Sequence, residues 1–300
     1  MLNLDEKTKG FLFVALSGAL CGLIVFGGSI FSNLGLSLFQ IATIPYLLAS
    51  LFLVPFLIKI GFKGVKKNLK ILLFYAIVSQ GVVLCQFGGI VFGASVAVVV
   101  LLLYAQPLWT ILISYFFLKE SVSKYQIIAG ILVLIGVFFL VNPFELGNSK
   151  SIVGIIFALF GGIFLSLWVV VGSVASKRNL SPLWIFFFGS GVGAIVYLVV
   201  YPLMVIFAPF PKVIGISFDF PLFVFVLIIL FSLVAVIGAH LLYYAGAKRV
   251  STITAGILML LEPVAGVILS VIFLAQPLTL PVIVGGVLIL LGNFIVITKG

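Results

Sequence analysis

Of the six acidic residues in this chain, Glu262 alone stands deep within an apolar run. It lies eleven residues beyond Ser251, about 16 Å along a helix that rises 1.5 Å per residue. Pro263 follows at once. A proline has no amide to donate and crowds the carbonyl four residues back, so a kink is expected, with the Met259 carbonyl freed beside the carboxyl. Gln106-Pro107 repeats the pattern in the first half, freeing the carbonyl of Leu103. A carboxyl and a carboxamide at two such breaks make polar notches in an apolar wall. That is the chemistry of recognising a small molecule. His240, the only histidine, falls about 10 Å from the end of its own apolar run by the same rise. A carboxyl and an imidazole sharing a dry interior are residue types that exchange protons near neutral pH, so Glu262 and His240 form a candidate proton-coupling pair.

The remaining candidates are Gln80 and Gln86, Tyr104 and Trp109 flanking Gln106, Trp168, Tyr243 and Tyr244. Trp and Tyr usually collect at membrane interfaces. Deeper, their polar handles need partners, and an aromatic-lined pocket is the usual form of a small-molecule site. Helix packing is the competing reading for each. The chain has no His-Glu-x-x-His, Cys-x-x-Cys or Walker loop, so neither a metal site nor an ATP-driven cycle is expected, and no cofactor. The run Gly189-Ser-Gly191-Val-Gly193 mimics part of a nucleotide fingerprint, but it sits inside an apolar run with no strand before it. Cys21 and Cys85 lie in apolar runs and suggest packing, not a disulfide framework.

The elements that must position these residues follow from composition. Hydrophobic residues make up 64% of the 300 and charged residues 7%, with a mean hydropathy of +1.49. Soluble domains carry about 25% charged residues, so a cytosolic enzyme, a secreted scaffold and a nucleic-acid-binding domain are excluded. Ten stretches reach the ~20 apolar residues that cross a bilayer: 10–32, 36–58, 71–92, 95–118, 124–142, 152–176, 182–207, 221–246, 251–274 and 278–298. The first exceeds a signal-peptide core of about 7–15 residues and is read as a retained helix. Gly93-Ala94-Ser95 is the tightest joint, and Pro143, Pro209, Pro211 and Pro277 mark other breaks. Ten spans put fourteen of the 16 basic residues on the face that carries both termini, leaving Lys150 and Lys212 on the other. Lys and Arg favour the cytoplasmic side, so both termini are expected there, in the plasma (inner) membrane. The net charge of +10 then serves an anionic leaflet rather than nucleic acid.

The chain also repeats itself. At an offset of 156, Leu102 meets Leu258, Pro107 meets Pro263, Gly130 meets Gly286 and Gly136 meets Gly292. At an offset of 144, Gly10 meets Gly154, Gly18 meets Gly162 and Gly28-Ser29 meets Gly172-Ser173. The change of offset places about twelve extra residues in the loop near 208–220. Two units, 1–147 and 148–300, of five spans each must run in opposite directions across the membrane. Inverted repeats are a recurring architecture of secondary transporters, with the cargo at the midplane. Gly18 with Gly22, and Gly162 with Ser166, supply the small residues for close helix packing.

Two halves of five spans resemble the drug/metabolite transporter superfamily, in its EamA family. The resemblance rests on the fourth span of each half, Tyr104-Ala-Gln-Pro107 through Phe117-Leu-Lys-Glu120 and Leu261-Glu-Pro263 through Phe273-Leu-Ala-Gln276, each followed by a Gly-spaced fifth span. The family tends to carry Glu-Pro here, which the second half keeps and the first replaces with Gln106-Pro107. The resemblance implies a plasma-membrane carrier of amino acids or other small metabolites, often an exporter. The combined expectation is an all-α, ten-helix secondary transporter working by alternating access. Its site would lie between the third, fourth, eighth and ninth spans, with Pro107 and Pro263 as hinges. Its partners would be a small-molecule substrate and the lipid bilayer, with monomer and homodimer both open. The alternatives are a proton-coupled exporter of hydrophobic cations and a non-transporting membrane protein.

Overall fold

The computed structural model describes residues 5–92, 96–140, 152–178, 180–207, 210–274 and 278–299. Among them every regular element is helical. Nine spans are long and apolar enough to cross a bilayer, and the shorter, unbroken apolar helix Lys124–Leu140, the fifth, makes ten. The first, second and third are Glu6–Asn33, Leu38–Ile60 and Val65–Val91. The sixth is Ile152–Lys177 and the tenth Leu280–Lys299. Asp5 caps the first helix, and Ser37 with Gln40 forms a capping box on the second, so their orphan amides are satisfied at the start. The expected turn at Gly93-Ala94-Ser95 lies outside the described residues, as do Pro143, Lys150, Pro209 and Pro277. Large side chains such as Ile58, Phe117, Val199 and Leu222 stand exposed around the bundle. Only an apolar solvent accommodates such a belt.

The remaining spans are interrupted. The fourth consists of Val96–Leu103, Gln106–Ile113 and a π-helical turn, Ser114–Leu118. The ninth consists of Thr252–Leu258 and Leu261–Leu274. Pro107 and Pro263 each fall in the first turn of the second segment, where a missing amide costs no helical bond. One expectation fails here. The Met259 carbonyl is not free, because the Glu262 amide donates to it at 3.0 Å. The chain tightens to three-residue pairing and so satisfies the carbonyl that the proline abandons. The seventh span carries a π-helical stretch, Phe187–Val192, between Pro182–Phe186 and Gly193–Phe207. The eighth carries one, Ser232–Gly238, between Leu222–Phe231 and Ala239–Ala247.

The duplication reappears as matched contacts between the halves. A Cβ on Gly18 would lie 3.0 Å from the Leu258 carbonyl oxygen, and one on Gly162 would lie 2.4 Å from that of Leu102. In the fifth and tenth spans, a Cβ on Gly136 would meet the Gly285 oxygen at 2.7 Å. One on Gly292 would meet the Ala129 oxygen at 2.9 Å. Both pairs are mates under the sequence offsets. A pseudo-twofold relation therefore pairs the first span with the ninth as it pairs the sixth with the fourth. Backbones approach this closely only where no side chain intervenes.

The extra residues of the second half form a short helix, Pro211–Ile214, and an extended stretch. They dock on the face opposite the termini. Tyr201 donates to the Ile214 carbonyl at 2.8 Å, and Gln40 donates to that of Ser217. Below them Phe31, Leu36, Val224 and Ile228 form an apolar cluster. This cover ties the second span to the seventh and eighth.

Candidate functional site

The two interruptions meet in the middle of the bundle. Glu262, second residue of its helical segment, is half-buried. The Tyr104 hydroxyl, from the interruption of the fourth span, faces its carboxyl. Cys21 of the first span and Tyr46 of the second lie within electrostatic reach of the same carboxyl. Tyr46 follows Pro45 inside the second helix. An acid, two phenols and a thiol thus converge from four helices.

Tyr46 also faces a second cluster, with its ring 6.2 Å from that of His240. Trp168 stands 5.6 Å from His240 and Phe186 5.5 Å, both edge-on. Trp168 stacks on Tyr243 at 4.7 Å. Tyr243 donates to the Val169 carbonyl at 2.6 Å, and Tyr244 pairs with the Tyr75 hydroxyl at 3.0 Å. The imidazole Nδ1 lies 2.7 Å from the Val236 carbonyl, within the π-helical stretch of its own span. A π-helical stretch disturbs the regular helical pairing, and His240 uses the carbonyl it exposes. The imidazole is therefore held by its own helix among aromatic rings. Among the described residues no hydrogen bond joins it to Glu262.

The other expected residues go elsewhere. Gln106 is buried and donates to the Thr110 hydroxyl, which lies 3.0 Å from the Ser166 hydroxyl. Its amide nitrogen backs onto Gly256, where a Cβ would meet it at 2.8 Å. That chain rivets the fourth span to the sixth and ninth. Gln80 donates at 3.3 Å to the Gly189 carbonyl, in the π-helical stretch of the seventh span. Gln86 and Trp109 are half-buried, and among the described residues their side chains make no hydrogen bond or ring contact. The first, second, sixth and seventh spans contribute as much as the four expected ones. Tyr46, Tyr75 and Phe186 were not singled out from the sequence. For Tyr46 the signal was present: a proline within an apolar run, with an aromatic beside it.

Near the terminal face, Glu120 closes the same helices together. Its carboxylate accepts from the Thr252 amide at 3.0 Å, the Thr252 hydroxyl at 2.8 Å and Lys177 at 2.9 Å. The fourth span thereby holds the N-terminal end of the ninth and the C-terminal end of the sixth. Glu6 joins Arg249 at 2.7 Å across the first and eighth spans. Among the described residues no three His, Cys, Asp or Glu gather as a metal site would need.

A model of the EamA-like transporter family matches residues 8–142 and again 152–298. The chain belongs to the EamA-like transporter family. The double match gives one family unit for each five-helix half. A Clostridium kluyveri protein described as an uncharacterized transporter is 27% identical over 304 residues, covering 96% of this chain and 92% of that one. One from Archaeoglobus fulgidus, described in the same words, is 27% identical over 201 residues, 67% of each chain. A crystal structure of a protein at 16% identity superposes with a TM-score of 0.75, over 96% of this chain and 99% of the other, which concerns the fold alone. This EamA-like protein is thus a multi-pass membrane transporter built of two inverted five-helix repeats.

Proposed function

We propose that this EamA-like protein is a secondary transporter that exports amino acids or related small metabolites across the plasma membrane, with both termini cytoplasmic. One observation carries the reading. The Glu262 carboxyl, at the interruption of one helix, faces the Tyr104 hydroxyl at the interruption of its inverted mate. A carboxyl so placed receives a cationic or hydrogen-bond-donating group, such as an ammonium. The aromatic walls beside it receive apolar bulk. Two similar halves, 1–147 and 148–300, offer two packings of similar energy, and rocking between them about Pro107 and Pro263 exposes the centre to each face in turn. The lysines of the terminal face support the orientation.

A second reading is favoured by the rings around His240. Trp168, Tyr46 and Phe186 present aromatic surface of the kind that attracts a hydrophobic cation, with Glu262 as its counter-charge. Purified protein in liposomes loaded with unlabelled amino acid tests the first reading. Radiolabelled amino acid should accumulate by counterflow. A screen of the amino acids and common metabolites in which none moves and none raises the melting temperature would sink it. Export of tetraphenylphosphonium opposed by protons would install the second reading.

A further inference from the structure

A cavity of about 440 Å³ opens on the terminal face, between the loop that follows the second span and the start of the seventh. Ligand sites commonly range over about 300–1,000 Å³. Its wall includes Lys63, Lys248, Ser176, Ser181, Trp184 and Tyr244, and no acidic residue lines it. Four other basic residues of this face have polar partners: Lys9 and Arg249 with Glu6, Lys177 with Glu120 and Arg178 with Asn68. Among the described residues, Lys63 and Lys248 have no such partner. Two like charges converging on one concavity without a counter-charge create a positive potential that low-dielectric walls focus. Ser181 adds a donor. Its oxygen accepts from the Leu183 amide at 3.3 Å, leaving the hydroxyl proton to point elsewhere. The floor is Tyr244, whose ring lies 6.4 Å from His240 in the aromatic cluster.

We infer that this vestibule is an anion-binding site, in which Lys63 and Lys248 hold a carboxylate or phosphate group directly outside the aromatic centre. The inference rests on the transport reading only in making the vestibule the cargo's approach. The occupant's anionic group is either part of a soluble metabolite or the headgroup of an acidic lipid, and the two sources are separable.

The experiment uses the full chain with Cys21 and Cys85 replaced by alanine and Ile60→Cys introduced on the cavity wall. The protein is placed in nanodiscs of neutral phosphatidylcholine. Thiol modification is timed with a sulfonate-bearing and with a trimethylammonium-bearing methanethiosulfonate. After correction for their reactivity with a free thiol, the anionic reagent should react at least fivefold faster. Adding Lys63→Gln and Lys248→Gln should bring the ratio near one. Succinate or inorganic phosphate should slow modification at least threefold more than potassium chloride of equal ionic strength, and only while both lysines are present. If phosphatidylglycerol in the disc protects and the soluble anions do not, the site stands with a lipid headgroup as occupant. A ratio near one with the lysines in place, or protection by neither source, overturns the inference. The readout needs no transport, so failure of the carrier reading would show separately, as absent counterflow alongside an intact charge ratio.

Discussion

Gln106 and Glu262 are mates under the internal duplication, each one residue before a proline in an interrupted helix. Their surroundings have diverged. Gln106 is 1% exposed and locked into the Gln106–Thr110–Ser166 chain. The mates of Thr110 and Ser166 in the other half are Gly266 and Gly22, and they meet without side chains. A Cβ on Gly22 would lie 2.7 Å from the Gly266 amide nitrogen. So one half spends its polar notch on a rivet between helices, while the other packs backbone on backbone and leaves its carboxyl to Tyr104. Duplication supplied two equivalent breaks, and substitution at three pairs of positions tied one into a polar chain between helices and left the other, in the reading proposed above, to receive a ligand.

The largest effect expected from this contrast is functional. Glu262→Gln keeps the shape and the contact with Tyr104 but removes the ionisable carboxyl. Counterflow should fall more than a hundredfold, with the melting temperature within a few degrees of the parent. An intramembrane acid is costly to retain unless it functions. Near-parental counterflow in this variant would remove Glu262 from the mechanism and make the two breaks equivalent after all.

Next in size is the packing contrast. Gly22→Ala places a methyl 2.5 Å from the Ala265 Cβ, and Gly162→Ala places one 2.4 Å from the Leu102 oxygen. Overpacking of this kind costs about 1–3 kcal/mol, so both should lower the melting temperature clearly. Gly286→Ala, which meets nothing within 4 Å, is the control and should be silent. Loss of stability at Gly22 but not at Gly162 would show that the halves do not share one packing rule.

Glu120→Gln should act more modestly. It removes the ion pair with Lys177 and weakens the bonds to Thr252. Hydrogen bonds to charged groups are worth about 1.5–3 kcal/mol, and partial exposure reduces this. The melting temperature should fall a little, and Ser173→Cys in the same background should label faster from the terminal face. Unchanged labelling would mean that Glu120 caps a helix without holding the face shut.

The ten spans, the duplication and its two offsets were legible because hydropathy and glycine spacing report backbone constraints directly. The pairing of Gly136 with Gly285 and of Gly292 with Ala129 follows the sequence register residue for residue. Of the candidate site, Glu262, Tyr104, Trp168 and His240 stood out in the sequence by residue type and depth, and the structure places them near the helix interruptions and the aromatic cluster. The sequence could not tell Gln106 from Glu262 as ligand-facing groups, because that depends on what stands across from each. Thr110 and Ser166 are 56 residues apart, and nothing in their local sequence links them. The π-helical stretches of the seventh and eighth spans were equally hidden. Gln80 and His240 reach backbone carbonyls within them, contacts that no local propensity announces.

The smallest effect is the one that separates the two notches most cleanly. Gln106→Leu removes the donor to Thr110 while keeping apolar bulk in a fully packed position. A buried hydrogen bond contributes about 1 kcal/mol net, and bonds between helices in membranes average about 0.6 kcal/mol. Thr110 still pairs with Ser166, so no hydroxyl is stranded. The variant should lose only a few degrees of melting temperature and keep counterflow within about threefold of the parent. If Gln106 bound cargo as Glu262 is proposed to, the same change would raise the KM for counterflow severalfold with little effect on stability. The ratio of these two responses measures how far the halves have parted.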